Sequence, residues 1–198
     1  MHVPNAEEVT GLVLAGGRAV RMGGIDKGLV DFGGRPLVES VIERLRPQVA
    51  DILVSAKRNV DRYRSFGFPV LLDAEEGLEP FPGPLAGMLA GLRAARTDWV
   101  AVVPCDAPFL PFDLVSHLTD ALGAERAAVA YVGETIEPMF CLLHVDLADD
   151  LATALAHGER RAEAWLRGVG AAPALFLSPD AFANLNTLRE LRARDGDD

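Results

Sequence analysis

The feature that most constrains this chain is an apolar run, residues 9–14, that leads directly into a loop rich in glycine and cations. The loop, residues 14–27, holds four glycines, two arginines and one lysine. Glycines let backbone N–H groups approach phosphate oxygens closely, and basic side chains neutralise the charge of those oxygens. A buried strand followed by such a loop therefore predicts a phosphate-binding site at the end of the strand.

The loop matches neither of two common phosphate-binding motifs. It lacks Gly-x-Gly-x-x-Gly, so a dinucleotide-binding fold of the Rossmann type is not supported. It also lacks Gly-x-x-x-x-Gly-Lys-[Ser/Thr], so a P-loop is not supported. It offers instead Gly16 and Gly17, followed by Arg21 and Lys27. The alternative interpretation is a flexible surface loop with ordinary surface cations.

Short apolar runs alternate with helical patterns along the rest of the chain. We predict strands at residues 9–14, 52–55, 70–72, 100–103, 127–132, 140–144 and 174–177, and helices at residues 36–45, 60–66, 84–95, 111–122, 145–156, 161–169 and 187–194. This order predicts a doubly wound α/β fold with a mostly parallel sheet, in which ligands bind beyond the carboxyl ends of the strands. The expected helix starts are prolines in the first turn and asparagine N-caps, at Pro36, Pro84, Pro111, Asn59 and Asn186.

The length and the net charge of the chain limit the functions that it can have. The 198 residues suit one domain, and the net charge of −10 makes a nucleic acid a poor partner. No apolar run is long enough for a membrane span, and the N-terminus lacks a basic signal-peptide region, so we expect a cytoplasmic protein. Two buried thiols, Cys105 and Cys141, are favoured over a disulfide or a metal site, and the four scattered histidines do not suggest zinc.

Two carboxylates follow predicted strands and could meet the phosphate loop. Asp106 comes after the apolar strand at 100–103, where a carboxylate beside phosphates would hold Mg²⁺. Asp73 ends its own strand in the same way. For both residues the alternative is a turn or helix-capping role.

Three further segments are candidates for ligand contacts. Gly83 and Gly87 open a helix whose free N–H groups could receive a base edge or a phosphate, or could simply permit close packing. Two arginines at a helix start oppose the helix dipole, which suggests an anionic partner over a solvated turn. Two amides spaced two residues apart could read a heterocycle or a sugar, or act as caps only. These residues are Arg160, Arg161, Asn184 and Asn186.

Together these motifs resemble the molybdenum cofactor guanylyltransferase family, whose members attach GMP to molybdopterin. The resemblance runs nearly from end to end of the chain. The family's patterns stand at residues 14–17 (Leu-Ala-Gly-Gly), 21–24 (Arg-Met-Gly-Gly), 26–29 (Asp-Lys-Gly-Leu), 82–88 (Pro-Gly-Pro-Leu-Ala-Gly-Met), 104–108 (Pro-Cys-Asp-Ala-Pro), 158–161 (Gly-Glu-Arg-Arg) and 182–187 (Phe-Ala-Asn-Leu-Asn-Thr).

The resemblance implies a single nucleotidyltransferase domain over residues 1–198, of the three-layer α/β kind. It implies Mg²⁺ at Asp106, guanine near Gly83 and Gly87, and the pterin near the two arginines and two amides named above. It also implies that the nucleotide is bound by Leu14, Ala15, Gly16, Gly17, Lys27, Ser55, Asp73 and Asp106. Two departures affect these contacts, since Ser55 stands where the family often has asparagine, and Glu137 replaces the histidine of a His-Pro pair. We expect Glu137 to face away from a phosphorylated pterin.

The implied reaction joins GTP to Mo-molybdopterin and releases pyrophosphate, with Arg21 and Lys27 neutralising the leaving group and Asp106 holding the metal. No general base is needed, because the attacking phosphate is already an anion. The alternatives are a related nucleotidyltransferase that uses CTP or a sugar phosphate, and a non-catalytic protein that delivers the cofactor. We further expect a monomer or weak oligomer and transient contacts with cofactor-biosynthesis proteins or molybdoenzyme apoproteins.

Overall fold

A computed structural model describes residues 3–15, 18–19, 25–72 and 83–183. The strands among these residues are β1 (Val9–Leu14), β2 (Arg18–Ala19), β3 (Ile25–Asp26), β4 (Asp31–Phe32), β5 (Arg35–Pro36), β6 (Asp51–Ser55), β7 (Val70–Leu71), β8 (Trp99–Pro104), β9 (Ala127–Val132), β10 (Thr135–His144) and β11 (Ala172–Phe176). The α-helices are α1 (Leu37–Leu45), α2 (Val60–Arg64), α3 (Pro84–Ala94), α4 (Leu114–Ala121), α5 (Ala148–Ala156) and α6 (Ala162–Gly168).

Seven strands form the central sheet in the order β11-β9-β10-β8-β1-β6-β7. Strand β1 pairs in parallel with both β6 and β8, and the pairs β6–β7 and β11–β9 are also parallel. Only β10 in this sheet runs antiparallel to its neighbours, β8 and β9. The prediction of a mostly parallel, doubly wound α/β sheet is therefore confirmed.

Helices cover both faces of the sheet and make the fold three-layered. One face packs against side chains of α1, α2 and α4, and the other against side chains of α3, α5 and α6. The interior strand β1 packs closely against both layers. Leu45 of α1 packs onto Gly11 on one face, and Leu12 packs onto Gly91 of α3 on the other. A side chain at either glycine would displace a buried leucine.

Most predicted elements are confirmed, and the exceptions have local causes. Strand β10 begins at Thr135, five residues before the predicted start, because a bulge between Glu137 and Cys141 lets the strand include Pro138. Helix α4 begins at Leu114, so the prediction that Pro111 lies in its first turn is wrong. Pro36 likewise precedes α1, which starts at Leu37.

The cap predictions had mixed outcomes. Pro84 is the first residue of α3, as predicted. Asn59 precedes α2, but its side chain makes no capping hydrogen bond, so its predicted role is wrong. The predicted helix at 187–194 and its cap Asn186 lie outside the described residues.

The two cysteines are free and buried, which confirms the prediction of two buried thiols. Burial raises the pKa of the Cys141 thiol, which lies in β10 within the core. In the described part of the chain, no helix has the length and apolar character that a membrane crossing requires.

Substitution of Gly91 should test the fit between β1 and α3. A Cβ at this position would lie 2.9 Å from Leu12 Cδ1, and Leu12 is fully buried. We expect Gly91→Ala to lower the free energy of unfolding by about 1–3 kcal/mol, as overpacking does. Urea denaturation measures the change.

The matched control is Gly168→Ala, at the exposed end of α6, where an added Cβ meets nothing within 4 Å. We expect that variant to be as stable as the parent or more stable by up to about 1 kcal/mol, because alanine favours helix. Equal stability of the two variants would contradict the interlock of β1 with α3.

Candidate functional site

The carboxyl ends of three neighbouring strands are joined by hydrogen bonds just beyond the sheet. The backbone N–H of Ala15 donates to the carbonyl of Ser55 at 2.7 Å. The N–H of Cys105 donates to the carbonyl of Leu14 at 3.0 Å. The ends of β1, β6 and β8 are therefore held side by side, and Asp106 follows directly after Cys105.

Lys27 and Asp106 meet at this edge of the sheet. The Lys27 Nζ donates to Oδ2 of Asp106 at 3.0 Å, and only 10% of the Asp106 side chain is exposed. Lys27 begins a single 3-10 turn, Lys27–Leu29, that follows β3. The structure thus brings together a cation from the glycine-rich loop and a carboxylate from the end of β8, which the sequence predicted separately.

Cys105 lies beside this ion pair, and the charges of the pair affect the pKa of its thiol. Burial raises the pKa of the Cys105 thiol well above its usual range, and the nearby carboxylates of Asp106 and Asp26 raise it further. Lys27 lowers the same pKa to a smaller extent. Burial and the two neighbouring carboxylates therefore favour the protonated form of this thiol.

Asp26 is a buried carboxylate whose role the sequence reasoning missed. It is 4% exposed and accepts hydrogen bonds from the Tyr63 hydroxyl at 2.6 Å and from Asn59 Nδ2 at 3.0 Å. Its position immediately before Lys27, inside the glycine-rich loop, was the available signal. Nothing local in the sequence connected it to Asn59 or Tyr63.

Asp106 fits a magnesium site of the kind that shares its ligands with phosphates. Among the described residues, the hydrogen bond to its carboxylate is that of Lys27 to Oδ2, and Oδ1 accepts none. The described residues contain no group of three potential metal ligands, so they offer no all-protein cage. Mg²⁺ commonly takes one or two carboxylates and completes its shell with phosphates and water.

The start of α3 lies against the turn that carries the two predicted arginines. Gly83 has φ +73°, and a Cβ there would lie 3.2 Å from the carbonyl oxygen of Arg160. Gly87 is buried one turn further into α3. Of the two glycines predicted to lie near a base, Gly83 therefore lies against the arginine turn.

A glutamate organises the arginine turn. One carboxylate oxygen of Glu159 accepts hydrogen bonds from the backbone N–H groups of Arg160 and Arg161, each at 2.8 Å, and these bonds lower the pKa of Glu159. Arg160 Nη1 donates to the carbonyls of Leu155, at 2.9 Å, and Glu159, at 2.7 Å. Its guanidinium thus points to the carboxyl end of α5, where a helix dipole favours a cation. Arg160 therefore does not oppose the dipole of α6, contrary to the prediction.

A cleft of about 460 Å³ opens between α3, β10 and α6. Because β10 is antiparallel to β8 and Cys141 pairs with Val102, the residues just before Cys141 lie toward the carboxyl end of β8. The cleft is therefore on the same edge of the sheet as Asp106. It is lined by Pro84, Pro138, Met139, Arg160, Arg161, Ala162, Glu163, Ala164 and Arg167.

The two positions that depart from the resembled family lie close to this edge. Ser55 is fully buried at the end of β6, and its carbonyl holds Ala15. Glu137 pairs with Ala130 of β9 and is half-buried, which raises the pKa of its carboxyl. Pro138 and Met139 line the cleft, whereas Glu137 does not.

Six of the predicted site residues lie outside the described residues, and their roles stay predictions. They are Gly16, Gly17, Arg21, Asp73, Asn184 and Asn186.

Comparison with known proteins gives consistent matches. A family model for the MobA-like NTP transferase domain matches residues 11–175. A molybdenum cofactor guanylyltransferase from Cupriavidus pinatubonensis is 45% identical over 196 residues, which cover 96% of this chain and 97% of the relative. One from Bordetella pertussis is 47% identical over 191 residues, which cover 93% and 95%. Similar in fold is the crystal structure of molybdopterin-guanine dinucleotide biosynthesis protein A from Archaeoglobus fulgidus, with a TM-score of 0.73, 22% identity and coverage of 94% and 96%.

A double-mutant cycle should measure the coupling between Lys27 and Asp106. The single variants Lys27→Met and Asp106→Asn each leave one largely buried group without its ion-pair partner. We expect a coupling free energy of about 1–2 kcal/mol from urea denaturation of the two single variants and the double variant.

The control cycle uses Glu163 and Arg167, an ion pair at 3.0 Å whose side chains are about half exposed. Exposed helix pairs of this spacing couple by less than about 0.5 kcal/mol. If the Lys27–Asp106 coupling were no larger than that of the control, the ion pair would not be an organising contact of the site.

Proposed function

Since the chain belongs to the MobA-like NTP transferase family, among the molybdenum cofactor guanylyltransferases, we propose that it transfers GMP from GTP to Mo-molybdopterin. The products are molybdopterin guanine dinucleotide and pyrophosphate. The observation that carries the proposal is the Lys27–Asp106 pair at the carboxyl edge of the sheet, next to a cleft with arginines on its wall.

The chemistry is an in-line displacement at the α-phosphorus of GTP. An oxygen of the terminal phosphate of molybdopterin forms a new P–O bond, and the bond between the α-phosphorus and its bridging oxygen breaks. Pyrophosphate leaves with the electron pair of that bond. Because the nucleophile is already an anion, the protein needs no general base, and its contribution is positioning and charge stabilisation.

Lys27 and Arg21 act on the charge that grows on the leaving pyrophosphate. The ammonium of Lys27 is 3.0 Å from Oδ2 of Asp106, the carboxylate that would hold Mg²⁺. A charge held in place before the reaction stabilises the transition state without reorganisation during it. Arg21 precedes Lys27 in the same loop and is assigned this role from the motif alone.

Asp106 is the residue that would hold Mg²⁺. When bound, this ion would neutralise phosphate charge and make the α-phosphorus more electrophilic. Asp106 is largely buried, and its contact with Lys27 holds one oxygen of its carboxylate in place.

The two substrates occupy neighbouring parts of the sheet edge. We assign the nucleotide to the ends of β1 and β6 and the start of α3, with contacts from Leu14, Ala15, Gly16, Gly17, Lys27, Ser55, Asp73, Gly83, Gly87 and Asp106. We assign the pterin to the cleft, with contacts from Arg160, Arg161, Asn184 and Asn186. Arg161 offers its guanidinium more readily than Arg160, whose Nη1 already donates to two carbonyls.

We also propose that the protein works in the cytoplasm, where GTP is available. It would act as a monomer or weak oligomer and contact cofactor-biosynthesis proteins or molybdoenzyme apoproteins transiently.

Removal of the Lys27 ammonium should slow the reaction. We expect Lys27→Ala to lower kcat by about 10²–10³-fold, the range that single preorganised charge contacts supply. The measurement is pyrophosphate release in the presence of GTP, Mg²⁺ and Mo-molybdopterin. Arg35→Ala is the control, because Arg35 pairs with Glu43 on an exposed surface at 2.6 Å. A loss within twofold for Lys27→Ala would remove this residue from the mechanism.

Nucleotide choice should appear in thermal stability. A ligand present at 100 times its Kd stabilises the folded state by about 2.7 kcal/mol. For a chain of this size, that free energy raises Tm by about 5–10 °C. We expect GTP with Mg²⁺ to give this shift and CTP to give less than about 2 °C at the same concentration. A larger shift with CTP would favour the cytidylyltransferase alternative, whereas GTP binding without pyrophosphate release would favour a delivery protein.

A further inference from the structure

The residue after Lys27 is held in a space that admits no side chain. A Cβ on Gly28 would lie 2.6 Å from the Tyr63 hydroxyl oxygen and 3.1 Å from both Cβ and Sγ of Cys105. The backbone at Gly28 therefore lies against the residue that precedes Asp106. This contact fixes the distance between the backbone of Lys27 and the end of β8.

Asp26, the residue before Lys27, is also held in place, by two hydrogen-bond donors at the start of α2. Asn59 and Tyr63 are four residues apart, and the Tyr63 N–H donates to the Asn59 carbonyl at 3.1 Å in the first turn of α2. This spacing puts both side chains on one side of the helix, so that one binds each oxygen of the Asp26 carboxylate.

The backbone of Asn59 is strained in a way that serves this contact. Its φ of 52° is in the left-handed region, and it is the one non-glycine residue with positive φ in the described part of the chain. The side chain does not cap α2 but donates to Asp26 instead. A strained conformation persists only where surrounding contacts fix it.

We propose that Asp26, Asn59 and Tyr63 form a clamp that positions Lys27 for the transfer reaction. The clamp fixes the backbone on one side of Lys27, and the Gly28–Cys105 contact fixes it on the other side. The three clamp residues are positioning residues that act through Lys27 and do not touch the substrate. This inference rests on the proposed function, because it assigns Lys27 to the leaving pyrophosphate.

The test compares two side-chain hydrogen bonds at opposite ends of the sheet, one buried and one partly buried. Tyr63→Phe removes only the hydroxyl that binds Asp26. The control Thr10→Val removes a buried hydroxyl of β1 that lies 2.7 Å from the Thr97 hydroxyl, at the amino end of the strand. We expect Tyr63→Phe to lower kcat for pyrophosphate release about 10–100-fold while KM for GTP changes less than about threefold. Thr10→Val should change kcat less than about twofold.

A second comparison separates positioning from a general loss of structure. If Tyr63 acts through Lys27, Tyr63→Phe in a Lys27→Ala background should lower single-turnover transfer less than about twofold. Full additivity of the two substitutions would overturn the clamp, as would equal effects of Tyr63→Phe and Thr10→Val.

Asn59→Gly keeps the test decisive if Tyr63→Phe folds poorly. Glycine accepts the left-handed backbone without strain, so the fold should be retained while the amide donor to Asp26 is lost. We expect a fall in kcat of about tenfold or more, and an unchanged kcat in a folded Asn59→Gly variant would overturn the clamp. Failure of the parent protein to release pyrophosphate would instead overturn the proposed function and the clamp with it.

Discussion

The packing of β1 between two helical layers is the constraint from which the site follows. Leu45 packs onto Gly11 on one face of the strand, and Leu12 packs onto Gly91 on the other. Parallel pairing with β6 on one side and β8 on the other fixes the register of β1. The carboxyl end of β1 therefore leaves the sheet at one place, where its last residues are bonded to the ends of β6 and β8.

This protein is acidic overall, and the substrate in the proposed reaction is an anion, so binding depends on positive charge placed locally at the site. The chain has a net charge of −10, and two carboxylates, Asp26 and Asp106, are buried near the end of β8. Burial of a carboxylate is costly unless it is paired or hydrogen-bonded. Lys27 meets one of these carboxylates, and two neutral donors satisfy the other. The positive charge of Lys27 is thus held beside Asp106, where the proposed reaction needs a cation.

The sequence was informative where the physics is local. The apolar run of β1, the proline at the start of α3 and the acid after β8 are each visible in a few consecutive residues, and the structure has them as predicted. The contacts that position Lys27 were not predictable, because they join residues 33 and 37 positions apart. The prediction that Asn59 caps α2 was wrong because an asparagine with a left-handed backbone cannot be told from a capping asparagine in the sequence. The early start of β10 depends on a bulge that only its pairing with β9 defines.

The two buried thiols of this protein lie in different parts of the fold, so each becomes accessible to reagents through a different opening of the structure. Cys105 is buried against Gly28 and beside two carboxylates, so an alkylating reagent reaches it only if the Gly28–Cys105 contact opens. Cys141 is in the middle of the core, in the one antiparallel strand of the main sheet. Its exposure requires that β10 separate from its neighbours. The alkylation rate of the first thiol therefore measures local opening of the site, and that of the second measures unfolding of the sheet.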